Sequence, residues 1–287
     1  MVNKMIKNII CGAGGYLGLR LKNDLESKGE KVVILPTEML LDPPQMHILL
    51  EEHQPYHLYY LAAYGNLHGQ NNLDEIYRAI IIKFLNLLEA TKGTQVEAIV
   101  TAGTTSEYGN KTVPMTEDLM LEPETFYGAA KAGATMLAQV WAKRENAPVV
   151  IFRPASMTGI GEQEVHLIPT LIRSCLFGEV MPFVGEPVHD YVNVDDVCQA
   201  IELLANKAHE IKGQIFNVGT GTQTSNLIIK EMIEHITKKK ANINIASKIN
   251  PLNLSQVWIA DSKKMRALGW KPQHTLYQTL KQMVKAV

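Results

Sequence analysis

Tyr127 and Lys131 stand four residues apart in Tyr127-Gly128-Ala129-Ala130-Lys131, so on a helix they share one face, one turn apart. A free phenol ionises near ~10, too high to exchange a proton readily at neutral pH. A neighbouring ammonium and the positive charge of a nicotinamide favour the phenolate and bring it toward working pH. A phenol tuned this way can move a proton on or off a hydroxyl or keto oxygen. Thr104, followed by Thr105 and Ser106, offers a hydroxyl that can hydrogen-bond the reacting oxygen and orient it. The expected catalytic set is therefore Thr104, Tyr127 and Lys131.

The string Gly12-Ala13-Gly14-Gly15-Tyr16-Leu17-Gly18 supplies the other half of a hydride-transfer site. Gly12, Gly15 and Gly18 fall at three-residue spacing after a predicted strand and open a predicted helix. Glycines there permit a tight turn, a close backbone approach to a pyrophosphate and close helix–sheet packing. Together with the Tyr–Lys pair, this context lifts the pattern above a chance match. It predicts a nicotinamide dinucleotide, with Lys131 also free to hold the nicotinamide ribose. Tyr16, Leu17, Leu40 and Pro154 complete the expected cofactor contacts. Strand two lacks the acidic residue that would bind the adenosine ribose, because Leu35 is followed by Pro36-Thr37-Glu38. Either Glu38 returns to the ribose, or Thr37 with a basic side chain such as Arg20 accepts a 2′-phosphate. The missing carboxylate favours NADP over NAD.

The surrounding pattern alternates strand-like and helix-like segments. Strands are predicted at Met5–Cys11, Lys31–Leu35, Leu58–Ala63, Ala98–Thr101 and Val149–Arg153. Helices are predicted at Leu17–Ser27, at Leu73–Thr91, at Tyr127–Glu145, and from Pro43 behind an Asp42 cap to Glu52. Strands with helices between them give an α/β, Rossmann-type, doubly wound parallel sheet. Residues 1–153 are assigned to this dinucleotide domain. Residues 154–287 form a smaller C-terminal α+β substrate-binding lobe, with segments near 188–220 returning to the first domain. A helix at Asp195–Asn206 and a strand at Gln214–Val218 fall in that return. The apolar excess over Ile76–Leu88 and the Ala-, Met- and Leu-rich Tyr127–Trp141 favour burial against a second copy, hence a homodimer.

Composition bounds the alternatives. A chain of 287 residues with net charge −1 and no basic stripe argues against nucleic acid as the partner. Cys11, Cys175 and Cys198 have no metal-like spacing; they fit core packing in a reducing compartment. Lys4 and Lys7 precede an apolar stretch as in a signal peptide, but glycines break it. No apolar run of ~18 residues is present. A cytoplasmic protein without a membrane span or a metal is expected, and Asp195-Asp196 reads as a helix cap favoured by the dipole.

With these residues in place, the chain resembles the extended short-chain dehydrogenases/reductases, in particular the epimerase/dehydratase branch acting on nucleotide sugars. Leu61-Ala62-Ala63 is similar to the strand end that lines the cofactor there. Val113-Pro114, Glu117-Asp118 and Pro123 resemble the run-up to the catalytic tyrosine. His189-Asp190-Tyr191-Val192-Asn193-Val194-Asp195-Asp196-Val197, Gly213–Gly219 and Leu268-Gly269-Trp270-Lys271-Pro272 match later landmarks. The resemblance implies that Tyr127 is the acid/base, Lys131 its partner and Thr104 the orienting hydroxyl. It also implies an NAD(P)-dependent epimerase or 4-keto reductase of a nucleotide sugar, with Thr105, Ser106, Ser156 and His189 at the substrate.

The departures narrow that implication. Dehydratases of the family follow the hydroxyl with Asp-Glu, where this chain has Thr105 and Ser106, so dehydration is disfavoured. His189 replaces an arginine that clasps the diphosphate, and Ser156 and Ile80 replace asparagines. A smaller carbonyl substrate, or a catalytically idle dinucleotide-binding sensor, stands as the alternative.

Overall fold

The computed structural model describes residues 7–54, 56–66, 69–245 and 256–287. In chain order the first elements are β1 (Lys7–Cys11), α1 (Tyr16–Ser27), β2 (Val32–Leu35), α2 (Pro43–Glu52) and β3 (Tyr56–Tyr60). They are followed by α3 (Leu73–Tyr77), α4 (Lys83–Ala90), β4 (Val96–Ala102), α5 (Phe126–Arg144) and β5 (Val149–Pro154). Met5 and Ile6 of the expected first strand lie outside the described residues. Next come β6 (Ser156–Thr158), α6 (Leu167–Phe177), β7 (Met181–Phe183), β8 (Val188–Asn193), α7 (Val194–Asn206) and β9 (Ile215–Val218). The chain ends with β10 (Gln223–Ser225), α8 (Asn226–Thr237), β11 (Ile243–Ile245), α9 (Lys263–Ala267) and α10 (Leu276–Lys285).

A six-stranded sheet has the order β2-β1-β3-β4-β5-β9, and β1 pairs in parallel with both β2 and β3. The α/β, doubly wound architecture expected from the alternation is therefore present. The chain winds outward in opposite directions on the two sides of β1, which puts the topological switch point between β1 and β3. Helix α1 buries Leu17, Leu21 and Leu25, the i, i+4 stripe of a helix laid on a sheet. Helix α2 starts where Asp42 caps it by accepting the Gln45 N–H at 3.1 Å, ahead of Pro43. Cys11, Cys175 and Cys198 are buried and form no disulfide, as core residues.

The long helix expected over Leu73–Thr91 is instead α3 and α4 joined by a π-helical turn at Arg78–Ile82. A π turn displaces backbone hydrogen bonds, and the Tyr60 hydroxyl donates to the Ala79 carbonyl at 2.7 Å. This segment turns Ile76, Ile80, Phe84, Leu87 and Leu88 into the core.

Two compact units emerge. The first holds the chain up to Gly109, Met120–Arg153 and Cys198–Phe216; the second holds Asn110–Leu119, Pro154–Val197 and the chain from Asn217. The assignment of all of 1–153 to the first unit therefore needs correction at Asn110–Leu119. Backbone pairing explains it: the Met115 N–H donates to the Ile259 carbonyl, and the Asp261 N–H donates to the Met115 carbonyl, each at 2.8 Å. Of the expected return near 188–220, Cys198–Phe216 belongs to the first unit. In the second unit, β8 is flanked by parallel β6 and antiparallel β10. Helices α6, α8 and α10 share a core that includes Leu171, Ile172, Ile229, Ile233 and Leu280.

Candidate active site

The glycine loop sits at the switch point and is packed backbone to backbone. Gly12 has φ +90°, and a Cβ there would come within 2.6 Å of the Ala62 nitrogen and 2.8 Å of the Leu61 carbonyl carbon. The Gly15 N–H closes the turn on the Gly12 carbonyl at 3.1 Å. Gly15 then caps α1 without a side chain, and no acidic residue lies in the first turn. The N-terminal end of α1 thus presents N–H groups and positive potential to an anion. Leu17 and Gly18 are buried, so they offer backbone, not side chain. Leu61 and Ala62 are half-buried and Ala63 is exposed beyond the end of β3. A nicotinamide dinucleotide's pyrophosphate fits the N-terminal end of α1, and Gly12 lets the loop before it close on the end of β3.

Past β2, Thr37 and Glu38 are exposed at the start of a 3-10 turn, Thr37–Leu41. Leu40 corrects the expectation of a cofactor contact. Its side chain is fully buried in the core that also holds Leu35 and Met46, so no surface is left to touch a ligand. Pro154, the last residue of β5, is also buried.

Thr104, Tyr127 and Lys131 come together in the first unit. Thr125 caps α5 by accepting the Gly128 N–H at 3.0 Å, so Tyr127 and Lys131 both fall on the first turns. A Cβ on Gly128 would approach the Ser106 carbonyl oxygen to 2.6 Å. This glycine therefore lets α5 close on the loop that carries Thr104. The Thr104 hydroxyl hydrogen-bonds the Tyr127 phenol. Lys131 Nζ donates to the Ala102 carbonyl at 2.8 Å and lies 5.9 Å from the Tyr127 ring centre.

The protein's own groups act on both members of the pair. Burial first, and then the Glu107 carboxylate, push the Tyr127 phenol above its ordinary range, while the Thr104 hydrogen bond pulls it down. Burial pushes the Lys131 ammonium down to about 8, opposed by Glu107. The i+4 ammonium alone does not determine the phenol's ionisation.

Glu107, Arg153 and Thr135 are the participants that the motif reading missed. Glu107 is wholly buried and Arg153 is 1% exposed. Arg153 reaches the same Glu107 oxygen through Nη2 at 2.7 Å and Nε at 2.9 Å. Thr104 and Glu107 form a capping box on the short 3-10 turn Thr105–Glu107. The Thr-x-x-Glu spacing of that box is a signal readable in the sequence. Thr105, expected at the substrate, is buried at 4% exposure under the same turn, whereas Ser106 keeps part of its surface.

In the second unit Ser156 and His189 are brought together. Ser156 on β6 lies 3.3 Å from His189 Nδ1 on β8. The rings of Tyr191 and Trp258 stand 5.7 and 5.8 Å from His189. Burial pushes His189 down to about 4, so at neutral pH it offers a hydrogen bond and no charge. Because an unfolded histidine titrates near ~6.5, the unfolded chain takes up this proton first on acidification. The stability involved is present above that pH and is lost as pH falls through about 4. His189→Gln, which retains a polar group beside Ser156, is expected to lose less stability than the parent between pH ~7 and ~4. Urea midpoints measured across that range test this, and parallel losses in the two proteins would refute it.

Among the described residues no group of three or more His, Cys, Asp or Glu side chains could hold a metal, and no helix is long and apolar enough to cross a membrane. Asp196 opens α7, but its carboxylate is turned to the Gln273 and His274 N–H groups at 3.0 and 3.1 Å.

Known proteins are similar to this chain in sequence and fold. The model of the NAD dependent epimerase/dehydratase family matches residues 8–219. The low-salt glycan biosynthesis protein Agl12 of Haloferax volcanii is 28% identical over 65% of this chain and 60% of its own length. A UDP-glucose 4-epimerase of Lactobacillus helveticus is 27% identical over 94% of this chain and 93% of its own. The solved structure of MoeE5 in complex with UDP-glucuronic acid and NAD superposes with a TM-score of 0.86, at 25% identity, covering 97% of this chain and 98% of that one. The leaning toward NADP finds no support in these relatives.

Proposed function

From the premise that this chain belongs to the NAD dependent epimerase/dehydratase family, we propose that it moves hydride between NAD and a ring carbon of a nucleotide sugar, as an epimerase or a 4-keto reductase. The observation that carries the reading is the meeting of Thr104, Tyr127 and Lys131 in the same unit as the glycine loop. When bound, the dinucleotide would supply the hydride acceptor as NAD and the hydride donor as NADH. Gly12, Gly15 and the start of α1 would hold its pyrophosphate, with Leu61–Ala63 alongside. Tyr127 Oη gives its proton to the keto oxygen as the ketone is reduced, and the resulting phenolate takes the hydroxyl proton back when the carbon is oxidised. Thr104 holds the same substrate oxygen by a hydrogen bond. Lys131, fixed through the Ala102 carbonyl, sets the local positive charge and is free to bind the nicotinamide ribose.

Elimination of water is not part of this reading. It needs a carboxylate base next to the hydroxyl, and Thr105 and Ser106 occupy those positions. The nearby carboxylate, Glu107, is locked to Arg153. Ser156 and His189 are assigned to the substrate through their hydroxyl and neutral imidazole. Phe126, Met136 and Val140, exposed on α5, support a homodimer through that helix.

Native mass spectrometry of the protein as purified, followed by assay on UDP- and dTDP-sugars, tests the reading. An epimerase keeps its dinucleotide and shows no net change in NADH absorbance, whereas a reductase consumes NADH. A protein that binds dinucleotide yet turns over no sugar would instead be a sensor.

A further inference from the structure

Glu107 and Arg153 form a fully buried ion pair within the first unit, and stability alone does not explain it. Desolvating two charges costs about as much as their attraction returns, so apolar replacements of similar volume are often neutral or stabilising. The arrangement around Glu107 is also specific. One carboxylate oxygen accepts the Thr104 backbone N–H at 2.9 Å. The other accepts from the Thr135 hydroxyl on α5 at 3.0 Å and from Arg153 on β5. Arg153 Nη1 in turn donates to the Tyr108 hydroxyl at 2.8 Å, and its guanidinium lies 4.6 Å from the Tyr108 ring centre. Gly103 makes the space: a Cβ there would overlap the Glu107 carboxylate and come within 3.0 Å of Arg153 Cγ.

We infer that Glu107 is a positioning residue of the hydride-transfer site: clamped by Arg153 and Thr135, it anchors Thr104 by the backbone and sets a fixed negative charge near Tyr127 and Lys131. The inference rests on Tyr127 being the acid/base. The charged and titratable groups around the carboxylate are Arg153 from β5, Tyr108 beside it, and Tyr127 and Lys131 from α5. A negative charge there keeps both the phenol and the ammonium protonated. The site is thus poised to donate a proton to a keto oxygen, the reductive direction of the chemistry.

Three variants separate charge from anchoring. Glu107→Gln keeps an acceptor for the Thr104 N–H and loses the charge. Glu107→Gln with Arg153→Met also removes the cation that would otherwise be buried without its partner. Glu107→Leu with Arg153→Met removes the anchor as well. The first readout needs no substrate: NMR titration of Lys131 in carbon-13-lysine-labelled protein, with the signal assigned by Lys131→Arg. Its midpoint, about 8 in the parent, is expected to fall by about one unit in Glu107→Gln and by less in the Gln/Met variant.

The second readout is the pH profile of turnover. The midpoint of its alkaline limb, in the reductive direction, should move the same way. The Leu/Met variant should lose about tenfold more kcat than the Gln/Met variant, with KM within about threefold, as expected when orientation of Thr104 is lost. Should Glu107→Gln not fold, the Gln/Met variant carries the charge comparison. An unchanged Lys131 midpoint in folded variants overturns the inference. An inactive parent with a shifted midpoint overturns only the proposed function.

Discussion

Tyr127→Phe is expected to lower kcat by about 10²- to 10⁴-fold, the usual contribution of a positioned acid/base, and to leave NAD affinity within about threefold. The substitution removes one oxygen and keeps the ring. Lys131 keeps its bond to the Ala102 carbonyl. Thr104 keeps its place through Glu107, because that tether runs through the backbone. What disappears is the atom that exchanges a proton with the substrate oxygen, and neither Thr104 nor a lysine tied to a carbonyl is placed to take over. The loss should therefore fall on kcat, with KM little changed. Steady-state kinetics with a fluorescence titration of the dinucleotide checks both halves. Turnover within about threefold of the parent would remove Tyr127 from the mechanism.

The features legible in the sequence were those encoded over a few residues. Asp42-Pro43 opened α2 as written, since a cap and a first-turn proline act locally. The three glycines identified the cradle because their spacing is the mechanism. Tyr127 and Lys131 could be paired because a helix converts a spacing of four into contact. The hidden features depend on distance along the chain. Arg153 meets Glu107 across 46 residues, and no local pattern links them. Leu40, expected among the cofactor contacts, is buried by packing from other elements. The push of burial and Glu107 on the Tyr127 phenol is hidden for the same reason, since neither is a neighbour within the helix.

The substrate is the least local property of all. Ser156 and His189 are 33 residues apart in sequence yet adjacent in space, and both depart from the family pattern. With burial holding His189 neutral, the proposed function makes discrimination there a matter of hydrogen bonding and of aromatic shape from Tyr191 and Trp258, and little of charge. A site of that kind rejects a ligand that leaves a buried polar group unpaired more strongly than one that merely lacks a phosphate contact.

Gly18→Ala is expected to abolish dinucleotide binding, with an affinity loss of about 100-fold or more, equivalent to about 2.7 kcal/mol. The added methyl would overlap the Gly12 carbonyl oxygen, with the Gly12 carbonyl carbon at 2.8 Å and the Ala13 Cα at 2.9 Å. All three atoms are backbone, so no rotamer change relieves the clash; α1 and the loop must move apart. Overpacking of this kind costs typically about 1–3 kcal/mol in stability. It also displaces the helix N-terminus that the pyrophosphate requires. Gly14→Ala is the matched control, since a Cβ there meets nothing within 4 Å and the residue is exposed. Thermal unfolding with and without NAD separates the two. The NAD-dependent rise in midpoint should persist in Gly14→Ala and vanish in Gly18→Ala, because a ligand stabilises only the state that binds it. An undiminished rise in Gly18→Ala would mean that the cradle is not where the pyrophosphate sits.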